Sequence, residues 1–336
     1  MKRLAIVLVV AGCGHHDKTK HDATMAAPAS TDATAAMPTL AAAPPVPLPP
    51  TGLPALPSSA ALDAITPARV ALGELLFWDG RLASDGKTSC ASCHDPKTDF
   101  AGAIGKTATG EPNLRRTPSL ANLAWKREYG WDGRFTALDD FMRAHVKGQL
   151  GVDLDPAMTK LAAIPTYAAQ IARISDRGTP GEAGLAALEA YALTRYDGDS
   201  PWDRFERGAA NAADPNAAGY AVFTARCGVC HTPPLYADES YHAIVPANGD
   251  AGRGKIDPKL PGAFATPSLR GAAKRIAFLH DGRAATLEAA LDAHFAGSGA
   301  DPALARPLAA ADRDHVLELV RALSGGETPT AKPTLP

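Results

Sequence analysis

The chain has 336 residues, enough for two domains of ordinary size that each bury a core. Its formal net charge of −2 at pH 7 gives no indication of a nucleic-acid partner. Hydrophobic residues make up 46% of the chain but aromatic ones only 6%, and alanine is abundant, which favours helices over sheet.

The first residues carry the features of a bacterial export signal. A basic start at residues 1–3 is followed by an apolar run at 4–11, which is too short to span a bilayer, and then by Cys13. Residues 10–13 resemble a lipobox, in which the cysteine is acylated; a soluble signal peptide that happens to contain a cysteine is the alternative. We therefore predict a lipoprotein-type signal peptide at 1–13 and a periplasmic protein whose only membrane contact is the lipid on Cys13.

Two segments of biased composition border the part of the chain that can fold. Residues 14–62 are rich in Ala, Pro and Thr, and such a segment cannot bury enough apolar surface to fold, so a flexible tether is predicted there. Residues 326–336 have a similar composition and are predicted to form a flexible tail. Between these ends we predict two domains, at 63–205 and 206–325.

The two domains are predicted because the sequence between the ends repeats itself. Thr-Pro-Ser-Leu stands at 117–120 and again at 266–269, and in both copies Asp-Gly-Arg follows at the same distance. The register continues to His145 in the first copy and to His294 in the second. The pattern indicates an internal duplication.

Helical periodicity accounts for most of the chain, and no segment alternates as a strand would. Two amphipathic helices carry His145 and His294 on their apolar stripes, so both imidazoles are predicted to face inward. Each of these helices is predicted to end three residues later, at Gly148 and Gly297. Further helices are predicted at 67–77, 183–195, 216–226 and 310–323. The predicted fold class is therefore all-α.

Four of the five cysteines stand in two Cys-x-x-Cys-His blocks, at Cys90, Cys93, His94 and at Cys227, Cys230, His231. Cysteines at this spacing can form thioethers to two haem vinyl groups, and the adjacent histidine then binds iron from the proximal side. Zinc sites and thioredoxin-like redox pairs also use Cys-x-x-Cys, but the histidine directly after both pairs and the export signal argue against them. We therefore predict two haem c groups, with His94 and His231 as the proximal iron ligands.

The distal side of each haem decides the function, because an open iron binds peroxide whereas a six-coordinate iron mainly transfers electrons. No methionine follows Met158, so His294 is the predicted distal ligand of the second haem, with His280 and His242 as alternatives. The plainer interpretation of His294 is a core histidine bonded to a haem propionate. By the repeat, His145 should lie over the first haem as a sixth ligand, as an acid/base for peroxide or as a packing residue, and the sequence leaves these roles open.

The chain resembles the bacterial dihaem cytochrome c peroxidase family, which also contains the MauG-like oxidases. The matching motifs, spread over about residues 65–325, are Leu-Gly-Glu-Leu-Leu-Phe at 72–77, Asp-Gly-Arg-Leu at 79–82, Arg-Thr-Pro-Ser-Leu at 116–120, Trp-Asp-Gly-Arg at 131–134, Ser-Pro-Trp-Asp-Arg at 200–204 and Leu-His-Asp-Gly-Arg at 279–283. The resemblance implies two all-α cytochrome c-like domains with the haems on either side of a shared interface. It also implies that the N-terminal haem reacts with peroxide, that the C-terminal haem relays electrons, and that Trp131 lies between them as a stepping stone.

The sequence departs from the family at the distal pocket. Where the family has Gln, Pro and Glu beyond the tryptophan, an ungapped count reaches Phe141, His145 and Gly151. If one helical turn is inserted, Asp153 or Asp155 becomes the candidate acid that shuttles the proton needed to cleave the O–O bond. Neither alignment restores the family's full set.

Two further departures concern the metal sites. The family's electron-transfer haem is bound by Met, or by Tyr in MauG-like members, at the place of His294. The family also binds calcium between the haems through an Asn, where this chain has Arg116. A guanidinium repels a metal cation, so no calcium is expected.

Three functions are compatible with these features. The first is a cytochrome c peroxidase-like oxidoreductase, in which hydrogen peroxide is reduced at the N-terminal haem by electrons that a small redox protein, a cytochrome c or a cupredoxin, delivers through the C-terminal haem. The second is a MauG-like oxidase that modifies a partner protein. The third is an electron-transfer cytochrome without peroxidase activity, in which both haems are bis-His and six-coordination blocks peroxide unless a ligand leaves.

Overall fold

The computed structural model describes residues 37–174, 178–208, 217–246, 248–297, 304–328 and 330–336. The predicted signal peptide and its Cys13 lie outside the described residues. From residue 37 onward the described chain forms one compact unit. None of its helices is both long enough and apolar enough to cross a lipid bilayer.

Most of the regular structure is helical. The α-helices of the described residues are α1 (Ala60–Asp63), α2 (Pro67–Trp78), α3 (Leu138–Leu150), α4 (Leu154–Ala162), α5 (Pro165–Ile174), α6 (Pro180–Leu193), α7 (Pro201–Glu206), α8 (Ala217–Arg226), α9 (Leu287–Gly297) and α10 (Ala310–Ala322). Short 3₁₀ turns lie at Gly80–Leu82, Cys90–Ser92, Pro96–Thr98, Leu123–Trp125, Arg253–Lys255 and Ala272–Lys274. The strands are β1 (Asp197–Gly198), β2 (Tyr241–His242), β3 (Phe264–Ala265) and β4 (Gly326–Glu327). β1 pairs antiparallel with β4, and β2 with β3.

Two predicted helices are confirmed to within one residue at each end: 67–77 and 310–323. The helix predicted at 216–226 is confirmed from residue 217 to 226, and its predicted first residue lies outside the described residues. The helix predicted at 183–195 begins three residues earlier, as α6. It does so because Thr179 and Glu182 form a capping box and Pro180 occupies the first turn. The expectation of no strand is wrong for β1 to β4, whose two-residue length is too short to show the alternation of a strand.

The helix that carries His145 runs further than predicted. α3 continues through Gly148 to Leu150 and is capped by Gly151, whose φ of 68° is the left-handed conformation that glycine adopts at helix ends. The predicted stop at Gly148 is therefore wrong, because a C-cap needs a left-handed residue and not merely a glycine. α9 is described as far as Gly297, and because residues 298–303 lie outside the described residues, the predicted stop there stays a prediction. Helices α4 and α5 are not among those predicted from the sequence.

The two largest clusters of buried apolar side chains among the described residues each pack helix against helix. In the first, α2 and α4 pack against α6 around Leu72 and Met158. In the second, α8 packs against α10 around Phe223. Burying a side chain of this size contributes about 1.5–3 kcal/mol. Cys90 packs against the first cluster and Cys227 against the second, so each Cys-x-x-Cys-His block borders its own core.

The predicted flexible tether is wrong in its second part, the strap (residues 41–62), which lies against the folded protein. The Thr51 carbonyl accepts a hydrogen bond from the Asp199 amide at 2.6 Å. The Gly52 carbonyl accepts one from Nη2 of Arg270 at 2.7 Å. A proline-rich segment cannot form a core alone, but its carbonyls remain available to donors on a neighbouring surface.

The strap covers a buried ion pair. Arg270 donates to Asp203 through Nη1 (2.8 Å) and Nη2 (2.9 Å), and the two side chains are only 1% and 2% exposed. Oδ2 of Asp203 also accepts from the Ser200 amide at 2.9 Å. Because Asp203 belongs to α7 and Arg270 follows the second Cys-x-x-Cys-His block in the chain, this pair joins the strap, α7 and the C-terminal half.

The predicted flexible tail at 326–336 is also wrong. Its first residues form β4, which pairs with β1. Beyond the strand, the Thr328 amide donates to the Tyr196 carbonyl at 3.0 Å, and Nη2 of Arg81 donates to the Pro336 carbonyl at 2.9 Å. These contacts use backbone groups, which every residue supplies, so composition gives no indication of them.

A docked strap should make Gly52 intolerant of a side chain. Gly52 has a φ of +86°, and a Cβ there would lie 2.1 Å from the carboxyl carbon of Asp203. Gly86 is the matched control, because its φ of +67° is similar but a Cβ would meet nothing within 4 Å. We expect Gly86→Ala to lower the free energy of unfolding by about 1–2 kcal/mol, and Gly52→Ala to lower it by about 1–3 kcal/mol more.

Denaturant unfolding of both variants would measure the two losses. Equal losses would mean that residues 41–62 do not lie against Asp203, and would restore the free tether.

Candidate haem sites

The first Cys-x-x-Cys-His block forms the 3₁₀ turn Cys90–Ser92. The amides of Cys93 and His94 both donate to the Cys90 carbonyl, at 3.2 and 2.8 Å. Nδ1 of His94 lies 2.8 Å from the Phe100 carbonyl. Since a carbonyl can only accept, Nδ1 carries the proton, and Nε2 keeps its lone pair for a metal.

The second block has the same geometry. The amides of Cys230 and His231 donate to the Cys227 carbonyl, at 3.2 and 2.8 Å. Nδ1 of His231 lies 3.0 Å from the Tyr236 carbonyl, which again leaves Nε2 as the unprotonated nitrogen. Burial lowers the pKa of both His94 and His231 to about 4. Both imidazoles are therefore held in the neutral form that binds metals.

The four cysteines of these blocks are all half-buried. Burial raises the pKa of Cys90 to about 12 and that of Cys227 to about 11. Zinc sites and redox pairs need thiolates, whose environments lower the pKa instead. A thioether carries no charge, so these apolar surroundings suit covalent attachment of a cofactor better than either alternative.

A largely apolar cavity lies beside the first block and offers about 1120 Å³ of space, part of it open to solvent. Its walls include Phe77, Cys90, His94, Trp131, Phe141, Met142, His145, Leu188 and Tyr191. The ring centres of His94 and His145 are 6.0 Å apart, with the planes at 57°. Burial lowers the pKa of His145 to about 4. The structure thus brings His145 to the His94 side of α3, inside the cavity.

A second cavity, of about 1340 Å³ and also partly open to solvent, lies beside the second block. It is lined by Cys227, Cys230, His231 and His294 among mainly apolar side chains. The ring centres of His231 and His294 are 6.5 Å apart. Nδ1 of His294 lies 2.7 Å from the Ala290 carbonyl of its own helix, so Nε2 is directed away from the backbone.

Each pair of opposed imidazoles leaves room for one metal ion. Metal–imidazole bonds are about 2.0–2.1 Å, and with roughly 1 Å from each nitrogen to its ring centre, two imidazoles on opposite sides of one metal have centres about 6 Å apart. The observed 6.0 and 6.5 Å match this spacing. The thiols, the apolar walls and the opposed imidazoles therefore fit a haem c in each cavity.

The two alternative ligands of the second cavity are placed elsewhere in its wall. Nε2 of His242 lies 2.7 Å from Oδ2 of Asp238. His280 stacks on Phe264 with ring centres 3.7 Å apart. Its Nε2 is buried and has no hydrogen-bond partner among the described residues. A buried polar atom without a partner is costly, so this nitrogen fits a polar group of a bound cofactor.

Trp131 and Arg116 line both cavities and so form part of the wall between them. Trp131 is 8% exposed and donates through Nε1 to the Arg116 carbonyl at 2.9 Å. The Arg116 guanidinium lies over the indole, 4.8 Å from the ring centre. Its Nε donates to the Leu279 carbonyl at 2.6 Å. The Arg116 guanidinium thus lies in the wall that both cavities share, and the expected absence of calcium stays a prediction.

The carboxylates predicted as the catalytic acid do not reach the first cavity, and that prediction is wrong. Asp153 is 66% exposed and pairs with Lys147 at 3.0 Å on the surface. Asp155 accepts hydrogen bonds from the Thr179 hydroxyl and from the Gly181 amide at the start of α6. α3 continues past Gly148 to Leu150, and the residues that line the first cavity include neither Asp153 nor Asp155.

The sequence did not indicate two features of the cavities. A buried ion pair, Arg275 with Asp99 at 2.7 Å, lies beside Arg116, and Arg275 lines both cavities. In the first cavity, Phe141 stacks on Tyr129 at 5.7 Å and on His145 at 5.5 Å. Asp99 and Arg275 belong to different segments of the chain, as do Tyr129 and Phe141, so no local pattern could have found these contacts. Phe141 and His145 are one turn apart on α3.

Comparison with known proteins agrees with this geometry. Residues 67–211 match the family model of the di-haem cytochrome c peroxidases. Methylamine utilization protein MauG of Methylorubrum extorquens is 34% identical over 292 residues, which cover 82% of each chain. Cytochrome-c peroxidase IdrP2 of Denitromonas iodatirespirans is 30% identical, over 80% of this chain and 84% of that protein.

Among solved structures, a MauG-like protein associated with microbial copper homeostasis superimposes with a TM-score of 0.69 at 22% identity, covering 85% of this chain and 96% of its own. That likeness extends to the fold, which is helix-rich and consistent with cytochrome c-like domains. The two curated relatives are at least 30% identical over 80% or more of this chain, and this likeness shows the family as well as the fold. The chain therefore belongs to the family of the di-haem cytochrome c peroxidases and MauG.

Proposed function

We propose that the chain is a peroxidase that holds two haem c groups and reduces hydrogen peroxide at the N-terminal haem with electrons relayed from the C-terminal one. Cys90, Cys93 and His94 would hold the first, in the domain at 63–205. The second, in the domain at 206–325, would be held by Cys227, Cys230, His231 and His294. Relatives named cytochrome-c peroxidase support the reaction class.

Matched contacts in the two halves support an internal duplication with one haem in each copy. Nδ1 of His94 pairs with a carbonyl six residues on, and Nδ1 of His231 with one five residues on. Ser119 and Ser268, the serines of the repeated Thr-Pro-Ser-Leu, each donate from Oγ to a backbone carbonyl near the preceding Cys-x-x-Cys-His block, at 2.6 and 2.5 Å.

The main support for this proposal is that the two cavities share a wall that contains Trp131. Trp131 is buried and lines both cavities, so an electron that crosses from the second to the first meets one aromatic ring. Its Nε1 hydrogen bond to the Arg116 carbonyl fixes the plane of the ring. Such a shared aromatic wall serves a reaction that needs both sites, as peroxide reduction does when its two electrons arrive one at a time.

A haem iron with an open position binds peroxide and supplies electrons to it. The protein must also move a proton, and the described wall of the first cavity contains no carboxylate. His145 is the imidazole of that wall opposite His94 and can accept the peroxide proton and return it to the leaving oxygen. Phe141 stacks on its ring and holds it in place.

A second candidate function is an electron carrier without peroxidase activity. The spacing of 6.0 Å between the ring centres of His94 and His145 favours it, because it allows His145 to bind the metal and close the open position. A third candidate is an oxidase that modifies a partner protein, which the identity to MauG favours.

The spin state and the reactivity of His145→Ala separate the first two functions. We expect the ferric wild type to show a high-spin signal in electron paramagnetic resonance that responds to stoichiometric peroxide. His145→Ala should keep this signal and react with peroxide about 10²–10⁴-fold more slowly, since it lacks the acid/base.

The opposite pattern would support the carrier and overturn the peroxidase. In that case the wild type is purely low-spin and inert to peroxide, and His145→Ala creates a high-spin signal. His315→Ala, half-buried on α10 and not among the residues that line either cavity, is the control that should change neither property.

We further propose that the protein works in the periplasm, anchored through a lipid on Cys13. Its electrons would come from a small redox protein, a cytochrome c or a cupredoxin. Globomycin, which blocks lipoprotein signal cleavage, should make the unprocessed precursor accumulate if Cys13 is acylated. Normal processing in its presence would exclude the anchor.

A further inference from the structure

The wall between the two cavities contains a positive charge in direct contact with the indole. Arg116 is 3% exposed, and its guanidinium lies 4.8 Å from the centre of the Trp131 ring. Trp131 in turn donates to the Arg116 carbonyl at 2.9 Å. The two residues therefore hold each other by a stacked and a hydrogen-bonded contact.

Among the described residues, no carboxylate pairs directly with Arg116. Its side chain donates to the carbonyls of Leu279, at 2.6 Å, and Thr117, at 3.2 Å. The buried carboxylate nearby, Asp99, is paired with Arg275 instead, at 2.7 Å. Burial, with the Arg275 charge second, lowers the pKa of Arg116 to about 9, which still leaves it cationic at neutral pH.

A buried cation over an aromatic ring has a definite effect on oxidation of that ring. The guanidinium is attracted to the electron-rich face of the neutral indole. If one electron leaves the indole, the ring becomes positive and faces a second positive charge across a few ångströms of low dielectric. The same contact thus stabilises the reduced indole and destabilises its radical cation.

We propose that Arg116 keeps Trp131 reduced, so that electrons cross the wall without leaving an oxidised indole in it. Each transfer then takes one electron from the C-terminal site and gives one to the N-terminal site, with no net change at Trp131. This inference rests on the proposed function in that it assumes electron flow between the cavities. It also favours reduction of a small peroxide over oxidation of a partner protein, since an oxidising equivalent does not settle on the indole.

The test oxidises the protein directly and does not depend on peroxide turnover. Fully ferric holoprotein is irradiated with a ruthenium tris-bipyridyl photo-oxidant and a persulfate quencher. Tryptophan radicals are then counted by electron paramagnetic resonance. The part of the signal that Trp131→Phe removes belongs to Trp131, and the part that Trp202→Phe removes is an internal reference. Trp202 is 3% exposed and stacks on Tyr220.

We expect the wild type to give a Trp131 signal well below that of Trp202. Arg116→Gln, which keeps a hydrogen-bond donor but removes the charge, should raise the Trp131 signal roughly tenfold or more. Arg116→Lys keeps the charge and should stay near the wild type. Arg173→Gln removes an equal charge from the surface of α5 and should have no effect.

Two results would overturn the inference: a wild-type Trp131 signal as strong as that of Trp202, or equal signals in the lysine and glutamine variants. If Arg116→Gln does not fold, the wild-type comparison still decides between a protected and an unprotected indole. Absence of peroxide turnover would contradict the proposed function but not this inference, because the photo-oxidation experiment does not depend on the reaction with hydrogen peroxide.

Discussion

Replacing Cys90 and Cys93 together with alanine should remove one of two haems per chain and abolish peroxide reduction. The thiols are the only groups of the first block that can bind a porphyrin covalently. His94 alone would have to hold a non-covalent haem in a cavity that is partly open to solvent. We therefore expect half of the haem that survives denaturation to disappear. Pyridine haemochrome absorbance per mole of exported protein would measure it.

The matched variant replaces Cys227 and Cys230. It should also lose half of the covalent haem, but it retains the site at which peroxide is proposed to react. A single stoichiometric reaction with peroxide should therefore persist, while steady-state turnover with an external donor stops. If either double variant keeps two haems after denaturation, the attachment prediction is wrong. If the first variant still turns over peroxide, the two sites have their roles reversed.

Much of the site follows from local sequence rules. A Cys-x-x-Cys-His block dictates which side chains share one turn, and helical periodicity dictates which face of α3 carries His145. The structure places that face toward His94, at a ring distance of 6.0 Å. Both rules act within a few residues, which is why the sequence suffices for them.

The prediction of Asp153 or Asp155 as the catalytic acid was wrong because it did not rest on such a local rule. Their assignment was made by counting residues from the predicted end of the helix. When the helix ends at a later residue, the same count assigns the wrong residue to the cavity. α3 is capped at Gly151 and not at Gly148, so Asp153 becomes the first residue before α4 and faces solvent. Counting along the sequence cannot predict where the residues of a loop lie when the end of the preceding helix is predicted wrongly.

The predictions of a flexible tether and a flexible tail were wrong because composition describes only whether a segment can fold alone. The proline-rich strap has no core, yet the Gly52 carbonyl accepts from Arg270. Likewise, in the tail, the Thr328 amide donates a hydrogen bond to the Tyr196 carbonyl. Each contact gives a backbone group a hydrogen-bond partner elsewhere in the fold. Tertiary contacts of this kind depend on the surface that the rest of the chain presents.

Replacing His294 with methionine should raise the reduction potential of the C-terminal haem. His294 is the imidazole opposite His231, and its Nε2 is directed away from α9. A thioether donates less electron density to iron than an imidazole does and so stabilises the reduced state. Axial ligands set haem potentials over a range of about 0.8 V, and we expect this exchange to account for a rise on the order of 0.2 V.

Spectroelectrochemical titration of the wild type and the variant would measure the shift, and only one of the two haems should move. His242→Met is the matched control, because His242 lies in the wall of the same cavity but is engaged by Asp238. It should leave both potentials within a few tens of millivolts of the wild type. If His242→Met shifts a potential and His294→Met does not, the distal ligand has been assigned to the wrong histidine. A low-potential bis-His relay favours the delivery of electrons to the first cavity, so the same exchange should slow peroxide turnover while leaving the stoichiometric reaction intact.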